Sequence, residues 1–394
     1  MPAGAGVMMT AGKNKMRTCA KNMVETCNLS AGECVVVKGG AHSQQLLEEV
    51  ALECYRRGAL PVITVSSDRY SEAVFKEISP KTLSRVPKHF VGMVKGADTL
   101  IAIEEFDDPT VAEGFPRDKL AARQKSMLPI VDIIYHPTRG KKWLYAGWPT
   151  EAAARRYGIS YDLLEKIIIG GISVPPKELM AIGNRMAKKF AKASWIHVWD
   201  NKGTDFRVNI AGRRANIDDA FISKEDFDIG DRGANLPAGE LFFAPKETEG
   251  DGSLYCPITQ DRMSGKLVKD VHLKFKNGKL LLDEVEAGEN REQMVASFEE
   301  CEKIDRKQYD PVRTKHIAEL GIGFNPKIRK AIGYILTDEK VGGTVHLAFG
   351  SNNSYGGKSE SIMHWDFVTS PGVNVDIENK RGSTKSVMVK GKLV

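Results

Sequence analysis

The sequence predicts an α/β N-terminal domain with a parallel sheet, followed by a strand-rich α+β C-terminal domain. Short β-branched runs alternate with helix-like stretches through the first half, the rhythm of strands joined by helical crossovers. In the second half, paired alternating segments flank Asn201-Lys202-Gly203 and Asn277-Gly278, and Asn-Gly between two such runs is a strong hairpin signal. The change of texture near residue 193 sets domains at 1–193 and 194–394. At 394 residues, two cores are the natural expectation, because a single core stops growing before this length.

Taken in order, Cys34–Val37 is the first strand candidate and ends at Lys38-Gly39-Gly40. Helical spacing follows over Ser43–Arg57, where Leu46, Leu47, Val50, Leu52 and Tyr55 are apolar. A second strand is expected over Leu60–Val65 and a helix over Ser71–Ile78. Thr99–Ile103 and Ile130–Tyr135 read as further buried strands, with a helix between Asp118 and Met127. The stretch from Pro149 to about Lys192 reads as helical, interrupted at Gly170-Gly171 and Pro175-Pro176. Beyond it, Ser194–Trp199 pairs with Thr204–Ala211, and Leu267–Phe275 with Lys279–Val285. Arg291–Arg306 is a helix, and Val345–Phe349 a strand.

Composition narrows the class. Apolar residues make up 42% and charged residues 27%, which is ordinary for a folded globular protein. The net charge of +6 comes from the ends: Lys13, Lys15, Arg17 and Lys21 near one, and Lys380, Arg381, Lys385, Lys390 and Lys392 at the other. Neither end interleaves aromatic residues as a single-strand stacking platform would, so nucleic acid is not an expected partner. The cysteines, Cys19, Cys27, Cys34, Cys54, Cys256 and Cys301, form no C-x-x-C pair and read as reduced thiols of a cytoplasmic protein. Met1–Met9 lacks the charged start of a signal peptide, and no apolar run approaches the roughly 18 residues needed to span a membrane. Lys38-Gly39-Gly40-Ala41 is not a dinucleotide fingerprint, and no H-E-x-x-H, G-x-S-x-G or P-loop motif is present.

The chemistry concentrates near the C-terminal end. His364 and Asp366 are two residues apart, which in a strand puts both on one face and turns Trp365 into packing. His346 lies in the nearby strand-like run His346-Leu347-Ala348-Phe349-Gly350. Upstream, Glu240 opens the apolar run Leu241-Phe242-Phe243. Glu319 sits among Ile317, Leu320, Ile322 and Phe324, with Gly321 and Gly323 allowing close backbone approach. A buried carboxylate must be paired, hydrogen-bonded or metal-bound; a salt bridge is the competing reading for each. Two imidazoles and three carboxylates suit zinc, cobalt, manganese or iron. They suffice for two divalent ions if one carboxylate bridges. Paired ions can hold a hydroxide for amide hydrolysis and anchor a free substrate amine, the properties of an exopeptidase. Tyr355, in Ser354-Tyr355-Gly356-Gly357, could lend its hydroxyl to a metal or a developing oxyanion. His42, His136 and His316 have no partner at ligand spacing.

Several blocks occurring in one order resemble the thermophilic-type metalloaminopeptidases, the leucyl-type aminopeptidases of bacteria and archaea. They are the Cys34–Lys38 strand, Trp148-Pro149-Thr150-Glu151, Asn235-Leu236-Pro237-Ala238-Gly239-Glu240, Glu319 to Pro326, Gly343 to Gly350, and His364-Trp365-Asp366. The resemblance covers most of the chain. It implies metal ligands at Glu240, Glu319, His346, His364 and Asp366, an active-site tyrosine at Tyr355, and Glu319 as a bridging or base-like carboxylate. It also implies two zinc, cobalt or manganese ions, peptide substrates with a free N-terminus, a homodimer, and a site in an enclosed cavity of a C-terminal catalytic domain. Some relatives of this fold look like non-haem iron dioxygenases that open dihydroxypyridine rings with a mononuclear site. Here His346, His364 and Asp366 would supply that triad. The presence of both Glu240 and Glu319 favours the dinuclear hydrolase. It also disfavours a binding protein that has lost catalysis.

Overall fold

The computed structural model describes residues 3–136, 138–261 and 263–394, with side chains from residue 14 onward. Met1 and Pro2, where the apolar N-terminal stretch begins, lie outside the described residues. A parallel sheet with helices comes first and antiparallel sheets follow, as the composition of the two halves predicts. The chain forms two compact units that are interleaved in sequence rather than divided once near residue 193. The first holds residues 1–176 and 220–237, and the second residues 177–219 and 238–394.

In the first unit, five parallel strands lie in the order Leu60–Ser66, Cys34–Gly40, Thr99–Ile103, Lys142–Ala146, Gly233–Leu236. The central strands are buried on both faces, as near-continuous apolar runs such as Thr99–Ile103 require. The last strand comes from the returning segment 220–237, which explains why a single cut does not divide the chain. The helix Ala3–Thr26, which periodicity did not single out, packs on the helices Gln44–Arg56 and Tyr161–Ile172. It buries Cys19, Ala20, Met23 and Val24, and Asn22 Nδ2 donates to Ile172 O at 2.8 Å.

Two expectations need correction. Ile130–Tyr135 is not a strand; it ends the helix Arg117–Ile134, which contains Pro129. Its apolar residues Ile130, Ile133 and Ile134 pack against Val94, Ala97 and Leu100, and a short apolar run of this kind fits helix and strand alike. The fourth strand is Lys142–Ala146 instead. Gly170-Gly171 lies inside the helix Tyr161–Ile172, and the break falls before it, at Tyr157–Ser160.

The second unit holds two antiparallel sheets. The larger has eight strands, including the hairpin of Ala193–Trp199 with Asp205–Asn209 and the hairpin joined through Asn277-Gly278. Asn277 and Gly278 both adopt positive φ, at 50° and 71°, as a type I′ turn demands. The smaller sheet runs His364–Val368, Thr344–Gly350, Ile317–Gly323, Glu240–Phe243, Asn216–Asp218. Its strands alternate, apart from one bulge between Ile317 and Glu319. Leu241, Phe243, Leu320, Ile322, Leu347, Phe349, Trp365 and Phe367 share one face and are all buried. On that face Trp365 stacks on Phe298 of the helix Arg291–Asp305 at 5.5 Å, and Phe349 meets Phe275 at 6.0 Å. Burying such side chains contributes about 1.5–3 kcal/mol each, which holds the sheet flat against its support and leaves its other face for chemistry.

Candidate metal centre

The opposite face of the small sheet carries every acid and imidazole singled out by the sequence. Cross-strand neighbours share a face, and the register pairs Asp218 with Glu240, Glu240 with Gly323, Gly321 with His346, Glu319 with Ala348, Ala348 with Asp366, and Gly350 with His364. Functional side chains and small residues therefore alternate across the strands. The small ones make the room. A Cβ on Gly321 would lie 2.0 Å from His346 Nε2, so the imidazole occupies the space that glycine leaves over its neighbouring strand. Beside Glu319 the register shifts by one residue between Ile317 and Glu319, a β-bulge of the kind that re-aims side chains next to active sites.

Glu319 stands at the centre. Its Oε1 lies 3.2 Å from His346 Nε2 and its Oε2 lies 3.7 Å from His364 Nε2. Glu240 Oε2 is 3.4 Å from His346 Nε2, and Asp366 Oδ1 is 3.3 Å from His364 Nε2. Two three-residue groups result, Glu240–Glu319–His346 and Glu319–His364–Asp366, each with its ligand atoms within 4.8 Å of one another. All five predicted ligands are thus brought together, and Glu319 belongs to both groups.

The tautomer of His364 is fixed by the backbone. Its Nδ1 donates to Ser351 O at 2.8 Å, which leaves Nε2 as the nitrogen facing the carboxylates. His346 Nδ1 is buried without a hydrogen-bond partner, so packing over Gly321 sets that ring's orientation. Tyr355 also reaches the site: its hydroxyl lies 3.5 Å from His364 Nδ1 and donates to Ser351 O at 3.3 Å, and its ring meets Phe242 edge-on at 5.5 Å. The loop that carries it is pinned from below. Glu247 accepts hydrogen bonds from Arg213 at 2.9 Å, Asn352 Nδ2 at 3.2 Å and the Lys358 N–H at 2.6 Å, and Arg213 also donates to Gly356 O.

Sequence reasoning missed Lys340, Asp218 and Glu339. Lys340 is 1% exposed. Its ammonium touches Glu240 Oε1 and lies 3.1 Å from Asp218 and 3.2 Å from Glu339. The salt bridge that competed with ligation for Glu240 is therefore real, but it occupies one oxygen only. No signal marked Lys340, because Asp338-Glu339-Lys340 is an ordinary run of charged residues in the sequence.

The electrostatics call for added positive charge. Burial pushes the Glu240 carboxyl up to about 8, although Lys340 pulls it down. Burial opposes charge on His346 as well, yet its hydrogen bond to Glu319 and the Glu240 carboxylate raise it to about 9. His364 is raised to about 10, Asp366 and Glu319 outweighing burial. Carboxylates on one buried face, two imidazoles held for protons, and a buried Glu240 Oε2 without a hydrogen-bond partner form a donor set that divalent cations fit.

Residues 13–393 match the thermophilic metalloprotease family (M29). Among solved structures, the fold is similar to wild-type AmpT from Thermus thermophilus, with a TM-score of 0.76, 19% identity, and 97% of this chain and 99% of that chain covered. It is also similar to 2,5-dihydroxypyridine dioxygenase from Pseudomonas putida KT2440, with a TM-score of 0.58, 13% identity and 96% of each chain covered. No curated protein matches the chain. No helix among the described residues is long and apolar enough to cross a membrane.

Proposed function

The chain belongs to the thermophilic metalloprotease family (M29), and on that premise we propose that it is a two-metal aminopeptidase. The family makes it a metal-dependent peptidase; the number of ions and the specificity for N-terminal residues are our reading. One observation carries it: Glu319 turns one carboxylate oxygen towards each imidazole and is shared by both ligand groups. A mononuclear His346–His364–Asp366 site for ring-opening chemistry would leave Glu240 and Glu319 buried beside it without a role.

Glu240 and His346 would hold an inner ion, His364 and Asp366 an outer one, and Glu319, which belongs to both groups, would serve both. When bound there, zinc, cobalt or manganese ions polarise a carbonyl and bring the proton loss of water near neutral pH. Ser351 O keeps the His364 proton on Nδ1. The Tyr355 phenol is held well above its usual pKa, first by burial and then by Glu319 and Asp366. It therefore keeps its proton and donates a hydrogen bond to the substrate carbonyl oxygen as charge develops there. The acid-rich face complements a substrate's free amine, which supports an exopeptidase over an endopeptidase. The test compares peptide amides with free and acetylated N-termini on protein loaded with each ion in turn. Cleavage of the free form alone is expected. Equal cleavage of the acetylated form would remove the N-terminal specificity, and ring opening of a dihydroxypyridine with one ferrous ion would replace the peptidase reading.

A further inference from the structure

We propose that Lys340 is a positioning residue that fixes Glu240 as a one-oxygen ligand of the inner ion. The inference rests on the two-metal reading above and goes beyond it, because Lys340 is not itself a candidate ligand. A lysine is almost never fully buried unless paired, and this one is 1% exposed among three carboxylates. Its contacts are unequal in consequence. Asp218 and Glu339 lie outside the two ligand groups, whereas Glu240 lies inside one of them. The ammonium takes Glu240 Oε1, and Glu240 Oε2 is left buried without a hydrogen-bond partner, 3.4 Å from His346 Nε2.

A carboxylate free on both oxygens can chelate a cation or swing away from it. With Oε1 tied to the buried ammonium, Oε2 is the oxygen that faces His346 and would meet the inner ion. Lys340 is also the cation that lets Asp218 and Glu339 share this buried face, since three clustered carboxylates without one would repel each other. The backbone holds the lysine in place: Lys340 O accepts from the Asn325 N–H at 3.0 Å, and Asn325 Nδ2 donates to Ala238 O at 2.7 Å, two residues before Glu240. Gly239 between them has φ of 124°, and a Cβ there would lie 2.9 Å from Asn325. Ligand strand and lysine turn are thus tied to one asparagine.

The experiment titrates cobalt(II) into metal-free protein by calorimetry and follows the visible absorption of the bound ion. Wild type should take two ions per chain. Lys340→Met should bind the ion at the inner position roughly 10–100-fold more weakly, as loss of a partner that orients a ligand does, and its cobalt spectrum should change while the outer ion binds as before. Lys340→Met strands three carboxylates and can unfold the chain. The same substitution is therefore also made with Asp218→Asn and Glu339→Gln, which removes the surplus charge. The inner affinity should fall in this triple variant too. Asp218→Asn with Glu339→Gln and Lys340 intact should keep it. Wild-type affinity and spectrum in the triple variant would overturn the role of Lys340. Failure of the wild type to bind two ions would instead overturn the two-metal reading, so the two failures are distinguishable.

Discussion

The His346 side chain is fully buried, whereas that of His364 is 30% exposed, although both imidazoles turn Nε2 towards Glu319. His346 lies on an inner strand of the small sheet and His364 on an edge strand. Behind the inner group sits Lys340 with its three carboxylates; beside the outer group sit Tyr355 and the loop from Ser351 to Met363. The inner half is thus held by sheet packing and a buried ion pair, and the outer half by a loop that hydrogen bonds fasten. The candidate ligands of the first are all nearly buried. In the second, His364 is the candidate ligand with substantial exposure. The comparison separates a buried inner group from a more accessible outer one, and in the function proposed above the outer group is the one that would meet the peptide.

Glu319→Gln should have the largest effect, because it weakens both halves at once. Turnover should fall by on the order of 10³-fold or more with unchanged circular dichroism; near-normal activity would refute the shared carboxylate. Next come the two histidines taken separately. His346→Ala empties a buried position, so it should cost about 2–4 kcal/mol of stability and lose the tightly held ion. His364→Ala should lose only the more exchangeable ion, with a smaller change in Tm. Equal changes in both variants would erase the distinction between the halves.

Tyr355→Phe should lower kcat by roughly 100-fold, the size of one lost donor to a developing oxyanion. Metal content and Tm should stay as in wild type. A parallel loss of the outer ion would make Tyr355 a structural support instead. The smallest effect is a pH dependence. His346 and His364 stand at about 9 and 10 without metal, against an ordinary value near 6.5, because neighbouring carboxylates outweigh burial. A raised folded-state pKa gives stabilisation that is complete below the unfolded value and is lost as pH rises through the folded one. Metal-free protein should therefore lose Tm between about pH 6.5 and 10, and metal-loaded protein should not. Calorimetry at pH 7 in buffers of different ionisation enthalpy should show protons released on binding, from each half in turn.

The alternation of this face was written in the sequence. His346, Ala348 and Gly350 alternate with Leu347 and Phe349, as Glu319, Gly321 and Gly323 do with Leu320 and Ile322, so one face is core and the other chemistry. That pattern, with His364-Trp365-Asp366, made four of the candidate ligands legible, because strand periodicity is a local property; Glu240 stood out instead as a carboxylate opening the apolar run Leu241-Phe242-Phe243. What joined them was not local. The bulge before Glu319 and the pairing of Gly321 with His346 depend on register between distant strands. Lys340 was invisible for a related reason: a buried lysine differs from a surface one only in what surrounds it, and of its three partners only Glu339 is adjacent, while Glu240 is 100 residues upstream and Asp218 further still. The fold was readable to a similar depth. The hairpin at Asn277-Gly278 announced itself through turn chemistry, while Ile130–Ile134 offered an apolar run that helix and strand use equally. The strand Gly233–Leu236 joins a sheet whose other members lie far upstream, which no window of sequence records.

The most direct test of two unequal ions joined by Glu319 is metal content per chain, measured by mass spectrometry on protein purified without chelator and then dialysed against increasing chelator. Two ions at the outset, falling through a plateau at one before both are gone, is the expected result. A single ion from the start, or two that leave together, would contradict it.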